Sequence, residues 1–478
     1  MGKIAFITVL SLSIFTSCIN SDQKRIIESV NRYLQGQADY YRFNGNVLIS
    51  EKGKIIYQKS IGSSDFNKQL ALNDSSVFEL ASVSKQFTAM GILMLEKRGK
   101  INLNDSLRKF FPELPYYNIK IHHLLTHTSG LPDYEELFMN KWDHRKISFN
   151  DDVIYMLAKE KPGINFKPGE KWEYCNTAYV LLASIIEKVS GLTFKKFMAT
   201  NFFVPLQMTH TRVYNTRRSG EILDNYAYGY IWSDSLKKYI LPDSIPDYDY
   251  VYFLDGIQGD GIINSTTGDL LKWSRFLFDQ TLGFDTITQK LLSPHILCDT
   301  AFAARFERYN GTSRLFYGYG ILLGNNEFGD FAYHTGGWPG YHIEIFHNFK
   351  HDVTIVVLSN NESNASGIRS ALTKIIFNHP LDYPQKHIPI TLDTTMLDLF
   401  VGTYTLNNYP YEVVRKDDNI FIINSYTEAK SKLLPEANDK LFAPDFDFQF
   451  GFSKAEGNQI DYYQVFFGSR FHMQKIEK

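Results

Sequence analysis

Ser82 and Lys85, in the run Ala81-Ser82-Val83-Ser84-Lys85, have the types and spacing of a nucleophile and its base. On a helix, residues three apart share a face, so the amine would lie beside the hydroxyl. A lysine in the first helical turn faces the positive end of the helix dipole, and that field favours the neutral amine a base must be. The spacing alone is weak, because Ser-x-x-Lys also occurs at Ser21, Ser106 and Ser235. Only Ser82 is followed directly by an apolar run of helical spacing, through Phe87, Met90, Ile92, Leu93 and Leu95. Taken by itself, the pair reads better as a solvated lysine near a frayed helix start.

Two more stretches change the balance. Glu173-Tyr174-Cys175-Asn176 opens a second apolar helix and offers a phenol and an amide across one loop residue. A phenol held near cations can carry a proton, and an asparagine can orient a substrate carbonyl; the ordinary alternative is a helix cap with a packed tyrosine. Late in the chain comes Tyr333-His334-Thr335-Gly336-Gly337-Trp338-Pro339-Gly340. Its glycines would let a backbone N–H approach a substrate oxygen closely; otherwise it is a glycine-rich turn before a strand.

The elements that must position these groups follow from pattern. Residues 44–60 read as a β-hairpin around Glu51-Lys52-Gly53-Lys54. Residues 87–97, 179–189 and 269–278 read as apolar helices, 341–346 and 352–358 as strands, and 366–377 as a following helix. The expected fold is α+β: an antiparallel sheet assembled from both ends of the chain, flanked by helices, with a helical lobe. Composition shifts at His379-Pro380-Leu381-Asp382-Tyr383-Pro384, and short alternating runs with turn signals such as Asp417-Asp418-Asn419 follow. The boundaries read as a catalytic domain over 28–380, a linker over 381–391 and a small all-β barrel or sandwich over 392–478. The last contains no chemical constellation.

Together these residues resemble the serine β-lactamase and penicillin-binding superfamily, and within it the class C β-lactamase and D-alanyl-D-alanine carboxypeptidase branch. Ser-x-x-Lys, Tyr-x-Asn and Lys-or-His-Thr-Gly occur here in family order at Ser82, Tyr174 and His334. Leu124-Leu-Thr-His-Thr-Ser-Gly-Leu131 and Gly259-Asp-Gly-Ile-Ile-Asn-Ser265 look like the same branch, and the likeness spans roughly residues 28 to 380. Phe400-Val-Gly-Thr-Tyr404 resembles the lipocalin-like appendage of some members. The resemblance implies a β-lactamase/transpeptidase-like fold in which Ser82 is the nucleophile, Lys85 its base and Tyr174 a second acid/base. It makes Asn176 the holder of the substrate amide, and the Ser82 and Gly337 N–H groups the oxyanion hole. His334 and Thr335 would face the substrate carboxylate or Tyr174; a protonated His334 would hold that charge and release it above about pH 6.5. Cys175 stands where the family usually has Ser, and His334 where a pure β-lactamase would have Lys.

The implied activity is that of an acyl-enzyme hydrolase on a D-amino-acid peptide or a β-lactam-like substrate. The alternatives are a carboxylesterase of the same fold, a non-catalytic penicillin-binding or wall-sensing protein, and a β domain that binds an apolar ligand on a scaffold. No cofactor is expected. His122, His123 and His127 lack a His-Glu-x-x-His pattern or a third ligand nearby, so no metal is expected either. Fifty basic against 52 acidic residues in 478, a net charge of −2, provide no basic field for nucleic acid. Three cysteines make no disulfide framework, and Cys175 and Cys298 read as free thiols. At the start, Lys3 precedes an apolar stretch from Ile4 to Phe15, and Thr16-Ser17-Cys18 resembles a lipoprotein cleavage site. That reading gives a signal peptide over 1–17, a lipidated Cys18 and a tether over 18–27. The protein would be an exported, membrane-anchored lipoprotein of a bacterial envelope, with a small molecule, a peptide or peptidoglycan as substrate.

Overall fold

The structure, a computed structural model, describes residues 21–279, 286–406, 409–425, 430–454 and 460–476. Residues 1–17 and Cys18, with the export and lipidation readings they carry, lie outside the described residues. Among the described residues, no single helix is long and apolar enough to cross a membrane.

An eight-stranded antiparallel sheet forms the centre of the larger unit. Its strands are β1 (Gly45–Glu51), β2 (Lys54–Ile61), β3 (Ile296–Leu297), β4 (Leu315–Tyr317), β5 (Leu322–Asn326), β6 (Gly329–Trp338), β7 (Tyr341–Asn348) and β8 (Val353–Ser359). They lie in the order β3-β4-β5-β6-β7-β8-β1-β2, and β1 pairs with β8 from Gly45↔Ser359 to Glu51↔Val353. The two ends of the chain therefore close one sheet, as the sequence pattern requires.

The central strands are apolar on both sides because both faces are covered. Along β8, Val356 and Leu358 enter one core with the helical lobe, while Val353, Ile355 and Val357 enter a second core. The period-two alternation of a strand thus divides one hydrophobic run between two cores. The lobe core includes α2 (Lys85–Lys97), α3 (Asn176–Ser190) and α4 (Thr267–Phe278); the second lies against α1 (Ser21–Tyr41), α5 (Thr300–Asn310) and α6 (Ala365–Ile376). Residues 21–27, expected as tether, are the first turns of α1: Ile26 and Ile27 pack on the second core, and Arg25 reaches the Ile375 carbonyl at 3.3 Å.

Eight further strands, from Gly402–Leu406 to Ser469–Ile476, form a closed antiparallel barrel. Phe400, Tyr404, Phe450 and Leu441 are fully buried in it. The second core runs on into the barrel, from Val30 and Tyr33 of α1 to Phe466 and Phe467. Gln37 Nε2 also donates to Asp447 Oδ2 at 2.7 Å across this junction.

Candidate active site

Ser82 sits on a 3₁₀ turn, Ala81–Ser84, that leads directly into α2 at Lys85. Residues 87–95 wind as helix because their apolar side chains meet α3 and α4, and burial leaves no alternative face to water. Ala81 adopts a left-handed φ of 45°, a strained conformation for a residue with a Cβ, next to the candidate nucleophile. Lys85 is wholly buried. Its Nζ lies 3.0 Å from Ser82 Oγ, donates to the Asp260 carbonyl at 2.9 Å, and stands 4.9 Å from the centroid of the Tyr174 ring. The solvated-lysine alternative therefore fails. Ser84 Oγ accepts the Ile263 N–H at 3.1 Å and Thr88 Oγ1 donates to the Gly259 carbonyl at 2.6 Å. These bonds tie α2 to the 259–263 segment from which Asp260 reaches the amine.

Tyr174 is held by His127. The His127 carbonyl accepts the Glu173 N–H at 3.0 Å, and His127 Nδ1 accepts the Cys175 N–H at 3.1 Å. Tyr174 lies between those donors, its ring 4.4 Å from the imidazole. His127 makes both bonds from a left-handed backbone at φ 56°. Asn176 is the first residue of α3, and Cys175 occupies the cap position without a side-chain bond. Asp133 caps instead, its Oδ2 accepting the Asn176 N–H at 2.9 Å. Asn176 Nδ2 is thereby free to donate to Glu135 Oε1 at 3.1 Å. Cys175 is buried, with Sγ 3.3 Å from the Leu131 carbonyl.

The His334 stretch is strand, not turn; the reversal comes at Pro339-Gly340. β5 covers β6 only as far as Tyr333, leaving the edge from 334 to 338 open on that side. His334 is 2% exposed and does not line the cavity, and neither does Thr335. The His334 Nδ1–H donates to the Thr335 carbonyl at 2.7 Å, which leaves Nε2 to accept from Tyr317 Oη at 3.3 Å. Tyr317 in turn accepts from His127 Nε2 at 3.1 Å, since His127 Nδ1 is already an acceptor. This chain requires both rings neutral. Burial, then the nearby Lys85 charge, drives the His334 pKa down to about 3 and that of His127 well below its ordinary value. His334 thus has no charge to offer a substrate carboxylate in the neutral range.

Ser82, Asn176 and Gly337 line a cavity of about 480 Å³. Among the described residues its wall also carries Glu79, Glu135, Asp255, Asp260, Glu362 and His342, and no lysine or arginine. Burial raises the pKa of Glu79 to about 7 and of Asp255 to about 6; burial, then the adjacent Asp133, raises Glu135. Asp260 is also raised by burial, and accepts from Tyr134 Oη at 2.9 Å. None of these acids was singled out from the sequence, nor was Tyr317, because they come from separate loops and strands with no local spacing to mark them. His127 stood in a noticed motif, but as a candidate metal ligand. His122 and His123 meet edge to face with centroids 4.1 Å apart, and His127 turns away to Tyr317.

Residues 30–375 match the family model described as Beta-lactamase. Penicillin-binding protein 4* of Bacillus subtilis (strain 168) is 38% identical over 423 residues, covering 87% of this chain and 91% of that protein. A solved penicillin-binding protein from Bacillus halodurans superposes with a TM-score of 0.61 at 26% identity, over 72% of this chain and 99% of that one. The octameric penicillin-binding protein homologue from Pyrococcus abyssi shares the fold at a TM-score of 0.64 and 22% identity, over 93% of this chain and 99% of its own. A buried lysine beside a serine that faces an acid-lined cleft, a family match over most of the chain and a relative of this identity lead to one conclusion: the chain belongs to the beta-lactamase family, whose members are serine hydrolases that include the penicillin-binding proteins.

Proposed function

We propose that the protein is a serine hydrolase of the cell envelope that opens an amide or ester through an acyl-enzyme on Ser82, with a D-amino-acid peptide or amide as substrate. The observation that carries this reading is the 3.0 Å approach of the buried Lys85 Nζ to Ser82 Oγ at the cavity wall. Lys85, once it has given up its own proton, takes the hydroxyl proton as Oγ bonds to the carbonyl carbon. The C–N or C–O bond then breaks, and the proton passes to the leaving group, with Tyr174 near enough to share the transfer. Water next attacks the ester, and the same groups run the proton in reverse. The Ser82 and Gly337 N–H groups would hold the oxyanion, and Asn176 the substrate amide.

Among the described residues the cavity wall carries five acids and no lysine or arginine, which weighs against substrates held by a carboxylate, the β-lactams and D-alanyl-D-alanine termini among them. The apolar stretch ending at Cys18 supports the envelope reading, with a lipid anchor.

The test is covalent labelling with a fluorophosphonate and mapping of the adduct by peptide mass spectrometry. Label on Ser82, lost in Ser82→Ala and slowed on the order of 10²–10⁴ in Lys85→Ala, is the expected result. Label on another residue, or unchanged labelling in Ser82→Ala, overturns the reading.

A further inference from the structure

Glu79 precedes Ser82 by three residues, at the end of the two-residue strand Phe78–Glu79, and its side chain lines the same cavity. It is 8% exposed, and its carboxylate has no hydrogen bond or ion pair among the described residues. A buried carboxylate without a partner is costly, and such groups persist where a ligand supplies the missing charge or donor. The Arg217 charge reaches Glu79, but its hydrogen bonds go elsewhere. Arg217 donates from Nε and Nη2 to Asp243 at 2.6 and 2.8 Å and stands 3.7 Å from Asp255. Glu79 is thus left facing the cavity with Asp255 and Asp260 adding negative potential around it. Burial keeps its pKa high; the Arg217 charge works against that, Asp255 and Asp260 add to it, and an incoming positive charge would lower it further.

We infer that Glu79 anchors an ammonium subsite in the Ser82 cavity, so that the substrate carries a primary amine on the same molecule as the scissile bond. The inference rests on the reading of Ser82 as the acylated residue. A metal ion is the competing occupant of an acidic wall. Among the described residues, however, no three His, Cys, Asp or Glu side chains converge closely enough to hold one. A primary ammonium fits the alternative arrangement, in which one carboxylate accepts directly and others contribute field. A substrate carboxylate would meet that field with the wrong sign. The amine has two possible sources, the α-ammonium of an unblocked amino acid and the side-chain ammonium of a basic residue; both present the same group.

The experiment compares kcat/KM for D-alanine p-nitroanilide, N-acetyl-D-lysine p-nitroanilide and N-acetyl-D-alanine p-nitroanilide in the wild type, Glu79→Gln and Glu79→Asp. Either amine-bearing compound should exceed the fully blocked one by about 10- to 100-fold, and which of the two does so identifies the source. Glu79→Gln should bring that ratio close to one, while Glu79→Asp keeps part of it. Equal ratios in wild type and Glu79→Gln, or a preference for the blocked compound, overturn the subsite. Ser82 labelling is scored separately. A labelled protein without the amine preference overturns the subsite alone, and an unlabelled one overturns the hydrolase reading. In that case calorimetric titration with the same three compounds reads the subsite, and equal affinities overturn it.

Discussion

A Cβ placed on Gly336 would collide with the carbonyl of Leu80, whereas one placed on Gly337 would meet nothing within 4 Å. The first glycine lets β6 run against the turn that presents Ser82; the second faces the open cavity. Neighbouring residues of one type therefore do different work. Gly336→Ala must push the strand and the Ser82 turn apart. We expect it to cost about 1–3 kcal/mol in stability and on the order of 10² in kcat/KM, because Gly337 moves with the strand. Gly337→Ala should hold its Tm. Thermal denaturation and ester turnover of both variants check this; equal loss of Tm in the two would remove the distinction.

His334 makes the fold sensitive to acid. In the folded chain its pKa lies at about 3, against an ordinary 6.5. Above about pH 6.5 the ring is neutral in both states, and its full contribution to stability is present. As pH falls below that, the unfolded chain takes up a proton that the folded chain refuses, and the contribution is lost progressively toward pH 3. Between pH 7 and 5 this amounts to about 2 kcal/mol. The raised acids Glu79 and Asp447 act in the opposite sense, so the comparison must be between proteins. His334→Gln should therefore lose less stability than the wild type over that interval, read by urea unfolding at the two pH values. Parallel pH profiles would mean that His334 titrates normally.

The legible part of this protein was its local part. The helix after Ser82, the 44–60 hairpin and the strands flanking the 350 turn each announce themselves through periodicity and turn residues within a dozen positions. The long-range parts were not legible. Tyr317 joins His127 to His334 across three elements, and no spacing in the sequence relates the three. The charge expected of His334 was illegible for the same reason: its type was readable but its 2% exposure was not, and burial drives its pKa down. Glu79 carries no mark in the sequence, since nothing local shows that it would be buried without a hydrogen bond.

Arg369 and Glu344 form an ion pair at 2.5 Å, both essentially without exposure. Arg369 also donates to the Tyr309 carbonyl at 3.0 Å and to Asn310 Oδ1 at 2.5 Å, and Ser366 donates to the other Glu344 oxygen. One guanidinium thus ties α6 to β7 and to the end of α5. Removing one partner leaves the other charged, buried and unpaired. Arg369→Met should cost about 3–5 kcal/mol, and the double variant Arg369→Met/Glu344→Leu less than that single change. Denaturant midpoints of the two proteins test it. A double variant less stable than Arg369→Met would show that the pair is worth more than its desolvation.

The β-barrel reads from sequence as separable from the chemistry, because every catalytic candidate precedes it. The packing argues otherwise for stability. The Phe467 ring fills the space over Gly367 of α6, where a Cβ would collide with it. The Arg308 guanidinium lies 4.0 Å from the Phe466 centroid, and Arg42 reaches Asp445 at 3.2 Å. Val30, Tyr33, Ile368 and Leu372 share one apolar core with barrel residues, so a chain ending at Tyr383 would expose part of that core to water. Among the described residues, none of the barrel lines the Ser82 cavity. Truncation should therefore lower Tm by roughly 5 °C or more while leaving KM for a small ester near its full-length value in whatever fraction folds. Differential scanning calorimetry and ester kinetics on the truncated chain separate the two effects. An unchanged Tm would establish the barrel as an independent unit, and a raised KM at unchanged Tm would give it a part in the substrate site.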